Sequence, residues 1–137
     1  MKVLVAEDLE SAREQLTDLM VEVDELEVRF VAQDAMALLQ AAGEWQPDVA
    51  ILDVRMRGMI VLGALATLKA IWPGMAVVVS AFDMDSYYRA AFLRHGADCA
   101  FDKSLGWSSL LNFLKTERFC ATAGMQDGTA LTEAILK

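Results

Sequence analysis

Pro47-Asp48-Val49-Ala50-Ile51-Leu52-Asp53-Val54-Arg55-Met56 is the stretch that decides the fold. Four apolar residues, Val49 to Leu52, run without a polar break and deliver one carboxylate, Asp53. A short apolar run bounded by Pro and charge has the pattern of a strand buried on both faces of a parallel sheet. In open α/β sheets, ligands bind beyond the carboxyl ends of the strands, and Asp53 falls there.

Outward from this strand, apolar runs alternate with stretches of helical period. Lys2 to Ala6 reads as the first strand, and Glu7 to Glu22 as a helix with Leu9, Ala12, Leu16, Leu19 and Met20 at helical spacing. Glu27 to Ala32 is a second strand, less apolar and so nearer an edge. Asp34 is placed to cap the next helix, whose stripe is Ala35, Leu38, Leu39 and Ala42, with Gly43 as its stop. Leu62 to Trp72 is the third helix, ended by Pro73-Gly74. Met75 to Ser80 is a fourth, buried strand. Asp83 or Asp85 caps a helix through Arg94, with Gly96 as its terminator. Ala97 to Phe101 is a fifth strand, and Ser104 to Phe119 a last helix carrying Trp107, Leu110, Leu111 and Leu114 on one face.

Five strands alternating with five helices imply right-handed βαβ units and a parallel sheet covered on both sides. The expected architecture is a doubly wound, flavodoxin-like α/β domain, strand order 2-1-3-4-5, over residues 1–119. Residues 120–137 are expected to be a C-terminal extension or the start of a linker, with Gly124 to Gly128 as a loose connector.

At 137 residues the chain has the size of one ordinary domain and can close a core. It is 55% hydrophobic, yet no apolar run approaches the ~18 residues of a membrane span. The start enters strand-like sequence without a charged leader, so the expected compartment is the cytoplasm. Cys99 and Cys120 make no disulfide framework or metal-ligand spacing and read as small buried hydrophobes. With 20 acidic and 12 basic residues the net charge is −8, which disfavours direct nucleic-acid binding by this segment.

The strand ends collect the polar chemistry. The first ends in Glu7-Asp8, the third in Asp53, the fourth in Ser80, and the fifth runs into Asp102-Lys103. With strand 1 beside strand 3, these groups converge at one rim. Crowded carboxylates repel unless a cation sits among them, and hard oxygen ligands suit Mg²⁺. Ser80 offers a donor to a phosphoryl oxygen, and Lys103 a mobile point charge. Each residue alone would merely punctuate a loop, and Glu7-Asp8 alone would complement a helix dipole. Their joint placement is what carries the reading. His95, before a helix-ending glycine, reads as surface or cap. The first turn, Ala6-Glu7-Asp8-Leu9-Glu10, has no glycine, which disfavours a flavin or nucleotide enzyme with a phosphate cradle there.

The chain resembles the receiver domains of two-component response regulators, the chemotaxis-regulator-like fold. The resemblance rests on Val5-Ala6-Glu7-Asp8, the 47–56 stretch, Val77-Val78-Val79-Ser80-Ala81, and Gly96-Ala97-Asp98 followed by Lys103, and it covers about residues 1 to 119. It implies a phosphoacceptor at Asp53, a direct Mg²⁺ ligand at Asp8, a water-mediated one at Glu7, and a further ligand in the Arg55 carbonyl. Ser80 and Lys103 would position the phosphoryl group. The implied reaction is in-line attack by Asp53 on a phosphohistidine of a sensor histidine kinase or phosphotransfer protein. Such a domain assists its own phosphorylation and dephosphorylation without being an enzyme for another substrate. The signal is expected to leave through the face of the fourth helix, fifth strand and fifth helix, as a homodimer or a partner contact, with Tyr87, Tyr88, Phe92, Phe101 and Trp107 as candidate apolar contacts.

Five positions depart from the family pattern. Arg57 stands where Pro is common, and Ile60-Val61 where Asp-Gly is common. Ala100 replaces the frequent aromatic three residues before Lys103, and Ser104 the Pro that usually follows it. Val61 adopts φ > 0 only at a cost, so the loop after Asp53 is expected to take another path, or the third helix to start differently. The rival reading is a degenerate receiver acting as a phosphorylation-independent interaction module.

Overall fold

The computed structural model describes residues 1–7, 10–23, 26–105 and 107–123, excluding the side chains at 11, 12, 19, 20 and 117–123. The strands are β1 (Lys2–Ala6), β2 (Glu27–Val31), β3 (Val49–Asp53), β4 (Ala76–Ala81) and β5 (Cys99–Asp102). The helices are α1 (Glu10–Met20), α2 (Ala35–Trp45), α3 (Val61–Ile71), α4 (Ser86–Arg94) and α5 (Ser108–Ala123). The strands form one parallel sheet in the order β2-β1-β3-β4-β5, as the sequence pattern predicts. β3 and β4 are buried at every residue, whereas β2 lies at an edge with its residues exposed or half-buried.

Alternation divides the sheet into two faces. Leu4, Ala6, Ala50, Leu52, Val77, Val79 and Ala100 share one apolar core with Ala35, Leu38 and Ala42 of α2, Ala64, Leu65 and Leu68 of α3, and Phe92 of α4. The other parity carries Val3, Val5, Val49, Ile51 and Val78. α1 lies over that side, with the Arg13 guanidinium 5.3 Å from the centre of the Phe30 ring and Leu16 fully buried. The same parity carries Asp53 and Ser80 within β3 and β4, and reaches Glu7 and Lys103 just past β1 and β5.

Several boundaries differ from the sequence reading, each for a local reason. Gly43 does not stop α2. The helix runs to Trp45, and Gln46 takes the left-handed conformation (φ 53°) with its N–H on Ala42 O. Gln46 precedes Pro47, which disfavours right-handed helical geometry at that residue. α1 spans Glu10–Met20, against a predicted span of Glu7 to Glu22. Of its predicted stripe, Leu9 and the side chains of Ala12, Leu19 and Met20 lie outside the described residues.

α3 begins at Val61 itself, with Ile60 extended as N-cap, so Val61 needs no positive φ. Gly58 (φ 87°) makes the turn instead. Arg57 is stitched to the loop before α2: its N–H donates to Gln33 O at 3.1 Å and its carbonyl accepts from Ala35 N at 2.8 Å. A proline at 57 would lack that N–H.

Asp85, not Asp83, caps α4 by accepting from Tyr88 N at 2.9 Å, and Gly96 (φ 109°) follows the helix end. Lys103–Leu105 is a 3₁₀ turn, and α5 starts only at Ser108, so Trp107 precedes the helix. Trp107 is buried edge-on to Phe101, ring centres 5.4 Å apart, and donates from Nε1 to Gln15 Oε1 at 2.9 Å. The chain divides into two compact units, Met1–Trp107 and Ser108–Lys137. In the second, Leu110 and Leu114 are buried.

Candidate functional site

The carboxyl end of the sheet gathers charge that the strands themselves exclude. Asp53 ends β3 and is 1% exposed, Glu7 follows β1 at 2%, and Lys103 follows β5 at 4%. The Lys103 ammonium donates to Glu7 Oε1 at 2.8 Å and to Asp53 Oδ2. Two carboxylates that would repel in a dry pocket are thus held on one cation. A buried ionic group of this kind is retained at a cost in desolvation and is weak evidence for stability. Its position at the strand ends argues for chemistry.

Asp53 has its other oxygen fixed from below. Oδ1 accepts the Arg55 backbone N–H at 2.7 Å and lies 3.5 Å from Arg55 Nε. Arg55 thus meets Asp53 through two donors. Ser80 pairs with Asp53 in the β3–β4 register, and its buried hydroxyl donates to Leu52 O at 3.2 Å. Four of the predicted site residues, Glu7, Asp53, Ser80 and Lys103, are thus brought to one rim, with Arg55 beside them. Asp8 lies outside the described residues.

Arg13 and Phe82 were not singled out from sequence, and Asp102 was named only as a polar strand end. Arg13 on α1 donates from Nε to Glu7 O at 2.6 Å and from its terminal nitrogen to Val31 O at 3.2 Å, fixing the end of β1. Phe82 has its ring 5.1 Å from Lys103 Nζ and 5.8 Å from Arg55 Cζ while remaining half-exposed. It lies in the turn directly after β4, where strand alternation no longer tells which side a residue takes. Asp102 accepts from both adjoining loops, and nothing in its spacing shows this.

The donor chemistry fits Mg²⁺. The buried groups are carboxylate oxygens, which suit a hard cation that takes one or two carboxylates beside water and phosphate oxygens. Among the described residues, no cluster of three or more acidic, His or Cys side chains forms a closed metal cage.

The aromatic candidates separate clearly. Phe92, Phe101 and Trp107 are buried, whereas Tyr87 and Tyr88 are 71% and 57% exposed and pack edge to face on α4. His95 is exposed at the end of α4 with Nδ1 2.8 Å from Ala91 O, a cap as predicted. Cys99 is half-buried rather than fully so, and desolvation of its thiol, against a smaller lowering by Arg89, pushes its pKa up to about 12. The Cys120 side chain lies outside the described residues.

A doubly wound domain with buried carboxylates on a lysine at its topological switch point keeps its charged groups where sheets of this kind bind ligands. The response regulator receiver domain model matches residues 3–115, and the chain belongs to that family, a component of two-component systems. It is 38% identical over 98 residues to protein-glutamate methylesterase/protein-glutamine glutaminase 5 of Myxococcus xanthus, covering 70% of this chain and 28% of that protein. It is 27% identical over 114 residues to the response regulator GacA of Pseudomonas syringae pv. syringae, covering 83% of this chain and 53% of the relative. The chain therefore spans about a quarter to a half of the length of these relatives.

Among solved structures, the signal receiver domain of a putative Luxo repressor protein from Vibrio parahaemolyticus superposes with TM-score 0.79 at 15% identity, covering 90% of this chain and 93% of that one. The isolated REC domain of RcsB from Salmonella enterica serovar Typhimurium, in the presence of the phosphomimetic BeF3-, gives 0.78 at 17% identity, with 86% and 88% covered. At these identities the likeness is one of fold. Among the described residues, no helix is long and apolar enough to cross a membrane.

Proposed function

We propose that this receiver domain takes a phosphoryl group on Asp53 from a phosphohistidine of a histidine kinase or phosphotransfer protein. The observation that carries the reading is the contact of one buried ammonium, Lys103 Nζ, with both Glu7 and Asp53 at the carboxyl end of the sheet. Asp53 attacks phosphorus, the bond from phosphorus to the donor imidazole breaks, and the imidazole leaves as the neutral ring after taking a proton. Lys103, already on Asp53 Oδ2, follows the charge onto a phosphoryl oxygen. The Ser80 hydroxyl turns from Leu52 O to donate to a second oxygen. The Arg55 N–H keeps Oδ1 oriented. Glu7, Asp8, Asp53 and the Arg55 carbonyl are the groups to hold Mg²⁺, which when bound neutralises charge on the transferring group. The product biases a protein-contact surface that includes the exposed Tyr87 and Tyr88, toward a second copy or another protein.

Intact-mass measurement with acetyl phosphate and Mg²⁺ tests the assignment. A single phosphoryl adduct is expected, removed by chelation of the metal and by Asp53→Asn. An adduct that persists in Asp53→Asn places the acceptor elsewhere. No adduct on the wild type supports the interaction-module reading instead.

A further inference from the structure

The loops that follow β4 and β5 each begin at the phosphoacceptor pocket, and one carboxylate joins them. Asp102, the last residue of β5, is half-buried and accepts from donors on three residues. Its Oδ1 takes the Asp83 N–H at 2.9 Å, the Ser104 N–H at 2.9 Å and the Ser104 hydroxyl. Its Oδ2 takes the Met84 N–H at 3.0 Å.

The two Ser104 contacts make an ordinary Asx-type turn. The contacts to Asp83 and Met84 are not local, and they hold a segment with unusual geometry. Asp83 is left-handed (φ 57°), and Asp85, two residues on, is the N-cap of α4.

Lys103 follows Asp102 directly, as the first residue of the 3₁₀ turn. The ammonium reaches Asp53, and the carboxylate reaches the start of α4. Ser80, in β4, lies three residues before Asp83 in the loop that follows the strand. Ser104 contributes two donors where a proline would contribute none.

We propose that Asp102 is a positioning residue that couples the Asp53 pocket to the N-terminus of α4, carrying any displacement of Lys103 to residues 83–85. The inference rests on phosphorylation at Asp53 as proposed above. The Ser104 hydroxyl, helped by the three backbone N–H groups and outweighing partial desolvation, holds the Asp102 carboxyl below its ordinary pKa. It is therefore ionised at neutral pH, with both oxygens accepting.

Asp102→Asn keeps the shape but turns one acceptor into a donor facing a donor. Residue-resolved amide exchange on the full chain without any phosphodonor is the first arm. The amides of Asp83 and Met84 are expected to exchange about tenfold faster in Asp102→Asn, as for loss of a hydrogen bond to a charged group. Exchange at the wild-type rate overturns the tie.

The second arm adds Mg²⁺ and beryllofluoride. Wild type is expected to change protection across residues 83–88, while Asp102→Asn still shows the adduct at Asp53 but loses most of that change. An unchanged response in the variant overturns the coupling. A wild type that takes no beryllofluoride fails the phosphoacceptor reading and the coupling with it, while the first arm still reports on the tie by itself. Should Asp102→Asn not fold, Ser104→Ala at an exposed position gives the same comparison. Roughly threefold faster exchange at residues 83 and 84 and a reduced response support the proposal, and wild-type behaviour in both overturns it.

Discussion

At the scale of single residues, the pocket is defined by what Lys103 balances. Removing one partner of a buried ionic group leaves the other charges uncompensated, at a cost of about 3–5 kcal/mol. Lys103→Met is therefore expected to lower stability by about that amount in chemical denaturation and to abolish labelling by acetyl phosphate. An equally stable Lys103→Met would mean that water or Arg55 already screens the pair. Cys99 gives a separate test at alkaline pH. Its thiol has a folded pKa of about 12 against an ordinary 9.0. The folded state thus binds the proton more tightly than the unfolded one. This contribution to stability is complete below pH 9 and declines as pH rises from about 9 to about 12. Cys99→Ala should flatten that part of the stability profile, and the native thiol should react slowly with alkylating agents at pH 8. Rapid native alkylation at Cys99, resolved by peptide mapping, contradicts the assignment.

At the scale of elements, the loop between β3 and α3 shows how a departure from the family pattern is absorbed. The loop avoids a positive φ at Val61, as expected, and places it at Gly58, while the Arg57 N–H bonds Gln33 O across to the α2 loop. Restoring the family's common residue should therefore harm this chain. Arg57→Pro is expected to cost about 1–2 kcal/mol, through the lost hydrogen bond and the orphaned Gln33 carbonyl, read as a lower denaturation midpoint. A neutral or stabilising effect would show that water replaces the bond. The same region shows what sequence conveys and what it leaves out. Asp34 was legible as the α2 cap because Asp before an apolar stripe has one local use, and its side chain accepts from Ala37 N at 3.1 Å. Gly43 was misread as a terminator because glycine is a permissive signal, tolerated inside a helix at modest cost. The decisive feature was Pro47, which acts on the residue before it. The Asp102 ties could not be read at all, since they link residues 18 and 19 apart and depend on where the two loops fold.

At the scale of the whole molecule, the alternation of strands and helices and the acidic rim were legible from period, whereas the full strand order comes with the family resemblance. Uninterrupted apolar runs at β3 and β4 mark the sheet centre, and the odd or even position of each polar residue past a strand end fixes its side. What period does not encode is partner choice within the rim: that Lys103 takes both Glu7 and Asp53, and that Arg55 turns its N–H inward. The same rim sits in a chain of net charge −8, so added salt of any kind is expected to relieve repulsion between its acidic groups. A specific cation must therefore be separated from that general effect. A ligand that binds only the folded state stabilises it by RT ln(1 + [L]/Kd), about 2.7 kcal/mol at a concentration of 100 Kd. Mg²⁺ is expected to raise the melting temperature above that in Na⁺ of equal ionic strength, and the excess should saturate. Asp53→Asn should remove most of the excess while leaving the Na⁺ response intact, because it deletes one ligand from the pocket but one charge only from the total. Equal shifts with both salts in the wild type would locate the effect in the net charge and leave the rim without a cation site.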